Sequence, residues 1–408
     1  MMNCRFCRNL IKSPFLSLGS SPLANTYLKK ENLSKMEPHY PLEIYVCQKC
    51  FLVQLEEFEL AKNIFHDYAY FSSYSDTWLK HCRKYTEMII KRFSLNQQSF
   101  VLEIASNDGC LLQNFKKHKI PLRGVEPAVN VARIARKKGI PTDITFFNTN
   151  YAKRMAKNEK KADLIIGNNV LAHNPNLHDF IKGLKIALKP KGVITMEFPH
   201  LLNLITQVQF DTIYHEHFSY FSFSTVKKIF EFHGIGLFDV QEIPIHGGSL
   251  RIYGKHQQDR SKKITQKVTA LLKKEKSAGL MKRKTYNDFG EKVNLIKREL
   301  LQFLIKAKNQ NRKIIGYGAP AKGNTLLNYC GIRTDFLDYT VDKNPEKQNK
   351  YLPGTHIPIK NPKVISQDRP DYILILPWNI KTEIINQMSF IRKWGGKFIV
   401  PIPKLKVI

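Results

Sequence analysis

From Ser99 onward the chain alternates short apolar runs with amphipathic ones, and this rhythm restricts the possible folds more than any other feature. The runs at residues 100–104, 122–126, 162–167 and 192–198 read as strands separated by helical patterns. Strand, helix, strand in this order predicts a doubly wound parallel α/β sheet. Its first strand carries the most information: residues 101–109 read Val-Leu-Glu-Ile-Ala-Ser-Asn-Asp-Gly, a buried strand entering a small, polar turn. In open α/β sheets ligands sit beyond the carboxyl ends of the strands, where small residues let amides approach and the next helix offers its N-terminus. Glu126 closes the second strand roughly 20 residues after Glu103, the separation at which a carboxylate meets a ribose diol. The turn lacks the Gly-x-Gly-x-x-Gly spacing of a dinucleotide site.

Ahead of this unit stand Cys4-Arg-Phe-Cys7 and Cys47-Gln-Lys-Cys50. Two such knuckles supply four thiolates to one tetrahedral Zn2+, a closed shell that staples a small domain and does no chemistry. Cys82, Cys110 and Cys330 are isolated and read as buried neutral thiols. No apolar run approaches the roughly 18 residues of a membrane span, so a membrane partner is not expected. The N-terminus lacks the apolar core of a signal peptide, which predicts a cytoplasmic protein with reduced thiols. The net charge of +31 is spread through nearly every segment, so it reads as compositional habit and not as one nucleic-acid face.

With 408 residues the chain needs more than one core. The expected division is a zinc-binding domain at 1–66, a cofactor-binding α/β domain at 67–256, a lysine-rich helical connector at 257–310 and a second α/β domain at 311–408. An aromatic patch around Tyr68 and Tyr70 precedes an amphipathic helix at about 76–93. Residues 210–220 pack two histidines, two acids and two tyrosines into one polar and aromatic run. In the last domain, residues 313–324 read as a strand, a glycine-rich turn and a helix start that would bring Lys322 to a phosphate. Such a turn equally serves to pack a helix against a sheet. Further strands end near Asp342 and before Pro377-Trp378-Asn379.

Seven motifs in order resemble the sugar C-methyltransferases, which use S-adenosylmethionine to methylate C-3 of a nucleotide-linked 4-keto-deoxyhexose. They are the paired cysteine knuckles, Glu-x-x-Ser-Asn-Asp-Gly, Asn-Asn-Val-Leu-Ala-His, Glu-Phe-Pro-His, Tyr-His-Glu-His, His-Gly-Gly-Ser-Leu-Arg and Tyr-Gly-Ala-x-Ala-Lys-Gly. The resemblance implies a class I methyltransferase sheet between a four-cysteine zinc domain and a C-terminal Rossmann-like substrate domain. The reaction needs a base for the C-3 proton and a group to hold the enolate. By resemblance His217 is that base, with Tyr214 and Glu216 in the same pocket, His173 as a further active-site histidine, and Tyr68 or Tyr70 reaching in.

Glu126 is then expected to hold the cofactor ribose, with Asp108 and the amides around Gly109 along the methionine side. Glu103, Ala105, Asn107, Pro127, Asn168 and Asn169 complete the expected cofactor contacts. The Lys322 turn and Arg251 are expected to grip the substrate nucleotide and diphosphate, with His200, His246, Asn324, Asp342 and Trp378 as further substrate contacts. A dTDP- or GDP-linked sugar is the implied partner, nucleic acid is not, and the chain is expected to be a monomer. Where the family loop usually has glycine, this chain has Ala105, whose methyl should weaken cofactor binding without abolishing it. Two competing readings are a methyltransferase acting on RNA or another anionic polymer, and an NAD-dependent nucleotide-sugar oxidoreductase.

Overall fold

The computed structural model describes residues 1–64, 72–158 and 161–408. Its centre is a seven-stranded sheet. From one edge the strands are Thr142–Asp143, Leu122–Val125, Val101–Ile104, Ala162–Asn168, Leu188–Pro199, Ser249–His256 and Ile235–Ile243. The first five are parallel. All four residues of Val101–Ile104 are buried, as expected of a strand covered on both faces. The doubly wound expectation holds for these five strands, but Ser249–His256 runs antiparallel to both of its neighbours. The link at 244–248 is far too short for a parallel crossover, which takes about a dozen residues, so the chain turns back as a hairpin.

Helix Asp76–Phe93 covers one flank of this sheet. Ser75 caps it by accepting from the Trp78 amide at 3.2 Å, Asp76 sits in the first turn, and Lys91 and Arg92 sit in the last. Trp78, Cys82, Tyr85 and Ile89 recur at helical spacing and face inward.

The N-terminal segment forms an antiparallel sheet from Leu16–Ser21, Tyr40–Val46 and Val53–Leu55. Its fourth strand comes from far along the chain: Ser219–Tyr220 pairs with Val53 and Gln54. The lysine-rich segment does form two helices, Gln266–Ser277 and Arg283–Asn309, but it is more than a tether. Tyr286, Phe289, Val293, Ile296, Leu300 and Leu304 make an apolar stripe that joins one core with the N-terminal sheet and the C-terminal unit.

The C-terminal sheet has six strands in the order Ile359–Lys360, Thr340–Val341, Ile314–Tyr317, Tyr372–Ile375, Lys397–Val400 and Lys406–Val407. All but the last are parallel. Among the described residues no helix is long and apolar enough to cross a membrane.

Candidate active site

A cleft of about 1040 Å3, counting its open mouth, lies at the carboxyl ends of Val101–Ile104, Leu122–Val125 and Ala162–Asn168. Among the expected cofactor contacts, Glu103, Ala105, Asn107, Glu126, Pro127, Asn168 and Asn169 all line it. His173 lines it too, together with Trp78 and Phe146, which sequence reasoning did not single out. Trp78 looks like an ordinary helix-core residue in sequence, so no local signal marks it.

The Glu126 carboxylate accepts from the Asn107 and Ala128 amides, each at 2.9 Å. Each oxygen keeps a second lone pair, enough to receive a diol. Burial pushes its proton affinity up and the two amides oppose that. Glu103 lies deeper and is held well above the usual carboxylate range, first by burial and then by Cys110, Glu126 and Asp108. Among the described residues, both polar atoms of the Asn168 side chain, Asn169 Oδ1, Glu103 Oε2 and Trp78 Nε1 are buried without a hydrogen-bond partner. Buried polar groups ordinarily find one, so a cleft lined by so many unmet groups fits a polar nucleoside ligand such as S-adenosylmethionine. Asp108 does not line the cleft: it pairs behind the loop with Lys138 at 3.1 Å. Cys110 does line it, and Cys82 and Cys110, isolated in sequence, meet as thiols beneath.

Ala105, Asn107 and Asn169 all have left-handed backbone, with φ of 55°, 50° and 54°. Asparagine tolerates this region, whereas alanine pays for its Cβ against the carbonyl. The Ala105 departure is thus a backbone problem as well as a steric one. Ala105→Gly is expected to raise stability by about 1 kcal/mol, a gain of ~1–2 °C in melting temperature, and to tighten S-adenosylmethionine binding modestly. Thermal denaturation with and without cofactor checks this; a lower melting temperature in the glycine variant would contradict it.

Beside the cleft, His173, Tyr214, Glu216 and His217 come together. His217 packs its ring 4.1 Å from Tyr214 and 4.7 Å from His173, centroid to centroid. Its Nδ1 lies 3.1 Å from the Thr212 carbonyl. A carbonyl only accepts, so Nδ1 carries the proton and Nε2 keeps a lone pair. His173 Nδ1 is fixed in the same way by the Glu216 carbonyl at 2.7 Å. Burial, reinforced by the neighbouring His173, holds His217 well below the usual imidazole range, and burial pushes His173 down to about 4. Both rings are neutral at physiological pH. Tyr68 and Tyr70 lie outside the described residues.

The segment bearing these groups is held from three directions. Asn25 donates to Glu216 Oε1 at 3.1 Å, the Pro41 carbonyl accepts from His215 at 3.1 Å, and the Leu55 amide donates to the Phe218 carbonyl at 3.1 Å. From the C-terminal side, Trp378 Nε1 donates to Asp211 Oδ2 at 2.6 Å and Thr325 Oγ1 donates to the Ile213 carbonyl at 2.9 Å. Asp211 stands in the run that the sequence marks as unusual, yet no role could be read for it there.

Cys4, Cys7, Cys47 and Cys50 bring their sulfurs within 4.8 Å of one another. Four Zn–S bonds of about 2.3 Å in a tetrahedron place sulfurs ~3.8 Å apart, so the set fits Zn2+. Gln54 supplies an outer contact, its Nε2 donating to Cys4 Sγ at 3.4 Å. Gln54 is also the residue that pairs with Ser219.

The expected substrate contacts divide. His246 and Lys322 act electrostatically on His217, and Trp378 reaches the same segment through Asp211. Arg251 is instead paired with Glu197 at 2.6 Å in the central sheet, with Gln241 and His81 beside it and the Tyr85 ring beneath. His200 is buried against Glu275 at 2.7 Å. That carboxylate also takes the Phe223 and Ser224 amides, which makes it an internal knot. Asn324 donates to the Ala24 carbonyl at 2.6 Å, and Asp342 accepts from the Ala319 amide at 2.7 Å.

Family profiles match in chain order: a zinc-binding domain at 4–65, a methyltransferase domain at 78–239 and a C-methyltransferase C-terminal domain at 244–403. The C-methyltransferase NovU of Streptomyces niveus is 34% identical over 406 residues, covering 99% of this chain and 96% of that protein. Among solved structures, an S-adenosylmethionine-dependent methyltransferase from Clostridium acetobutylicum ATCC 824 shares 13% identity at a TM-score of 0.36, covering 44% of this chain and 92% of its own. The PH0226 protein of Pyrococcus horikoshii OT3 shares 14% at 0.38, covering 46% and 95%. With a near full-length relative, three consecutive profiles, a cofactor cleft and a four-cysteine cluster, the chain belongs to the S-adenosylmethionine-dependent C-methyltransferase family with a zinc-binding N-terminal domain.

Proposed function

We propose that this enzyme methylates C-3 of a nucleotide-linked 4-keto-deoxyhexose. The observation that carries the reading is the paired-histidine site: His217 presents a neutral Nε2 beside His173, and His173 lines the cofactor cleft. A saturated carbon beside a ketone becomes a nucleophile once it loses a proton, and an oriented, uncharged imidazole suits that task. Bound S-adenosylmethionine supplies an electrophilic methyl group.

The remaining roles fall to the chain. Glu126 orients the cofactor by its ribose, with Glu103, Asn168 and Asn169 meeting other polar atoms in the cleft. His217 takes the C-3 proton on Nε2, while the Thr212 carbonyl holds its tautomer. Tyr214 and His173 fix the plane of the ring and exclude water from it, and Glu216 ties the loop to Asn25. The C-terminal sheet receives the sugar nucleotide. The test is transfer of labelled methyl from S-adenosylmethionine to a panel of dTDP- and GDP-linked 4-keto-deoxyhexoses, with the product located by NMR. Label on oxygen, or on none of these sugars, would overturn the reading.

A pH dependence follows from the two neutral rings. The acid limb of kcat/KM is expected below pH ~6.5, the ordinary imidazole value, because burial disfavours the charged base. A limb at or above that value would assign the proton to another group. Stability should follow the same sign. The folded value of His173 is about 4 against 6.5 when free, so the unfolded chain takes the proton first as pH falls. Stability is lost between those limits, by on the order of 3 kcal/mol for this group, as melting curves from pH 7 to pH 4 would register.

A further inference from the structure

We propose that the Lys322 ammonium is the electrophile of this reaction, holding the oxygen that becomes negative when His217 removes the C-3 proton. This rests on the ketone-sugar reading above and adds a catalytic residue to it. Lys322 opens helix Ala321–Cys330 at the carboxyl end of Ile314–Tyr317, where a phosphate-binding lysine would stand.

The turn in front of it is already in use. The Gly318 amide donates to the Val341 carbonyl at 2.6 Å, and the Ala319 amide donates to Asp342 Oδ2 at 2.7 Å. A carboxylate therefore sits on the amide that a phosphate would need. Gly318, at φ +87°, instead lets the turn close on Pro377, whose Cδ would lie 2.6 Å from an added Cβ. The glycines serve packing.

The Lys322 side chain lies on the residues that anchor the His217 segment. Its Nζ lies 4.8 Å above the Trp378 ring and donates to Asn379 Oδ1 at 2.9 Å. Trp378 in turn donates to Asp211, three residues before Tyr214, and packs under the glycine turn that follows His246. The Lys322 charge acts on His217, His246 and Asp211 alike. Among the described residues, Asp211 Oδ1 and His246 Nε2 are buried without a hydrogen-bond partner, which suits a polar ligand beside them. Burial lowers the Lys322 proton affinity while Asp211 sustains it.

The step balances without a further reagent. The C-3–H bond breaks, its proton moves to His217 Nε2, its electron pair becomes the C-3–C-4 double bond, and the carbonyl pair moves onto oxygen, where the Lys322 N–H groups donate to it. A donor aimed at a developing oxyanion is worth about 100- to 1000-fold in rate.

The experiment follows exchange of the C-3 hydrogen with D2O by NMR. It uses the full zinc-loaded chain with S-adenosylhomocysteine and saturating dTDP- or GDP-linked 4-keto-6-deoxy sugar; calorimetry with dTDP and GDP runs in parallel. Lys322→Gln is expected to slow exchange at least 100-fold while nucleotide affinity changes less than threefold, and Lys322→Arg, which keeps the charge, to exchange measurably faster than Lys322→Gln. S-adenosylhomocysteine binding and melting temperature report folding for both variants. Exchange at the wild-type rate in Lys322→Gln with nucleotide affinity weakened tenfold would make Lys322 a phosphate clamp and overturn the assignment alone. No exchange in the wild-type enzyme with any of these sugars would overturn the ketone-sugar reading and the assignment with it.

Discussion

His217→Asn is expected to lower turnover by about 100- to 10,000-fold in a protein that still binds S-adenosylmethionine. The asparagine amide can still donate toward the Thr212 carbonyl, so the loop keeps one of its anchors, but it has no lone pair basic enough to accept a carbon-bound proton. The lost ring packs against Tyr214, His173 and Tyr220. A fall of about 1–3 kcal/mol in stability is therefore expected alongside. The cofactor cleft is built on different strands, so its affinity should change little. Cofactor titration separates the two effects, and a folded, cofactor-binding variant with near-normal turnover would remove His217 as the base.

Chelation of zinc, or Cys47→Ser, is expected to unfold the N-terminal sheet and abolish methyl transfer, although the metal touches no reacting atom. Structural zinc contributes on the order of 10 kcal/mol to small domains built around it. The route to the active site is short: Cys4 meets Gln54, Gln54 pairs with Ser219, and Leu55 holds Phe218, the residue after His217. Losing the edge Val53–Leu55 leaves Ser219–Tyr220 unpaired and releases the segment that carries the base. Cofactor binding at the central sheet should outlast turnover, which distinguishes local release from global unfolding. Full turnover and an unchanged melting temperature in metal-free protein would contradict the structural role.

Much of this was legible in residue order. The cysteine knuckles announce their cluster because metal ligation requires paired thiolates at short spacing. The strands at 100–104, 122–126 and 162–167 and the helix at about 76–93 follow from periodicity and capping, and the observed elements agree within a residue or two. Glu103, Glu126 and the two asparagines reach the cleft because strand ends converge in any open α/β sheet. Periodicity says nothing about direction, however, so the reversed strand Ser249–His256 became visible only through the short link before it.

What the sequence by itself determined, then, is the set of local elements and the residue types collected at their ends. Tertiary structure decided which groups are left with work to do. Arg251 and Lys322 are equally plausible cations in sequence; Glu197 neutralises the first in the sheet, while the second lies over the Trp378 ring and donates to Asn379. Gln54 and Ser219 carry no mark of each other, yet their pairing joins the four-cysteine cluster to the segment that carries His217. Nor does the alanine at 105 disclose its left-handed backbone. The reason is physical: local propensity acts over a few residues, but a buried charge or an edge strand takes its partner from whatever the folded chain brings within a hydrogen bond.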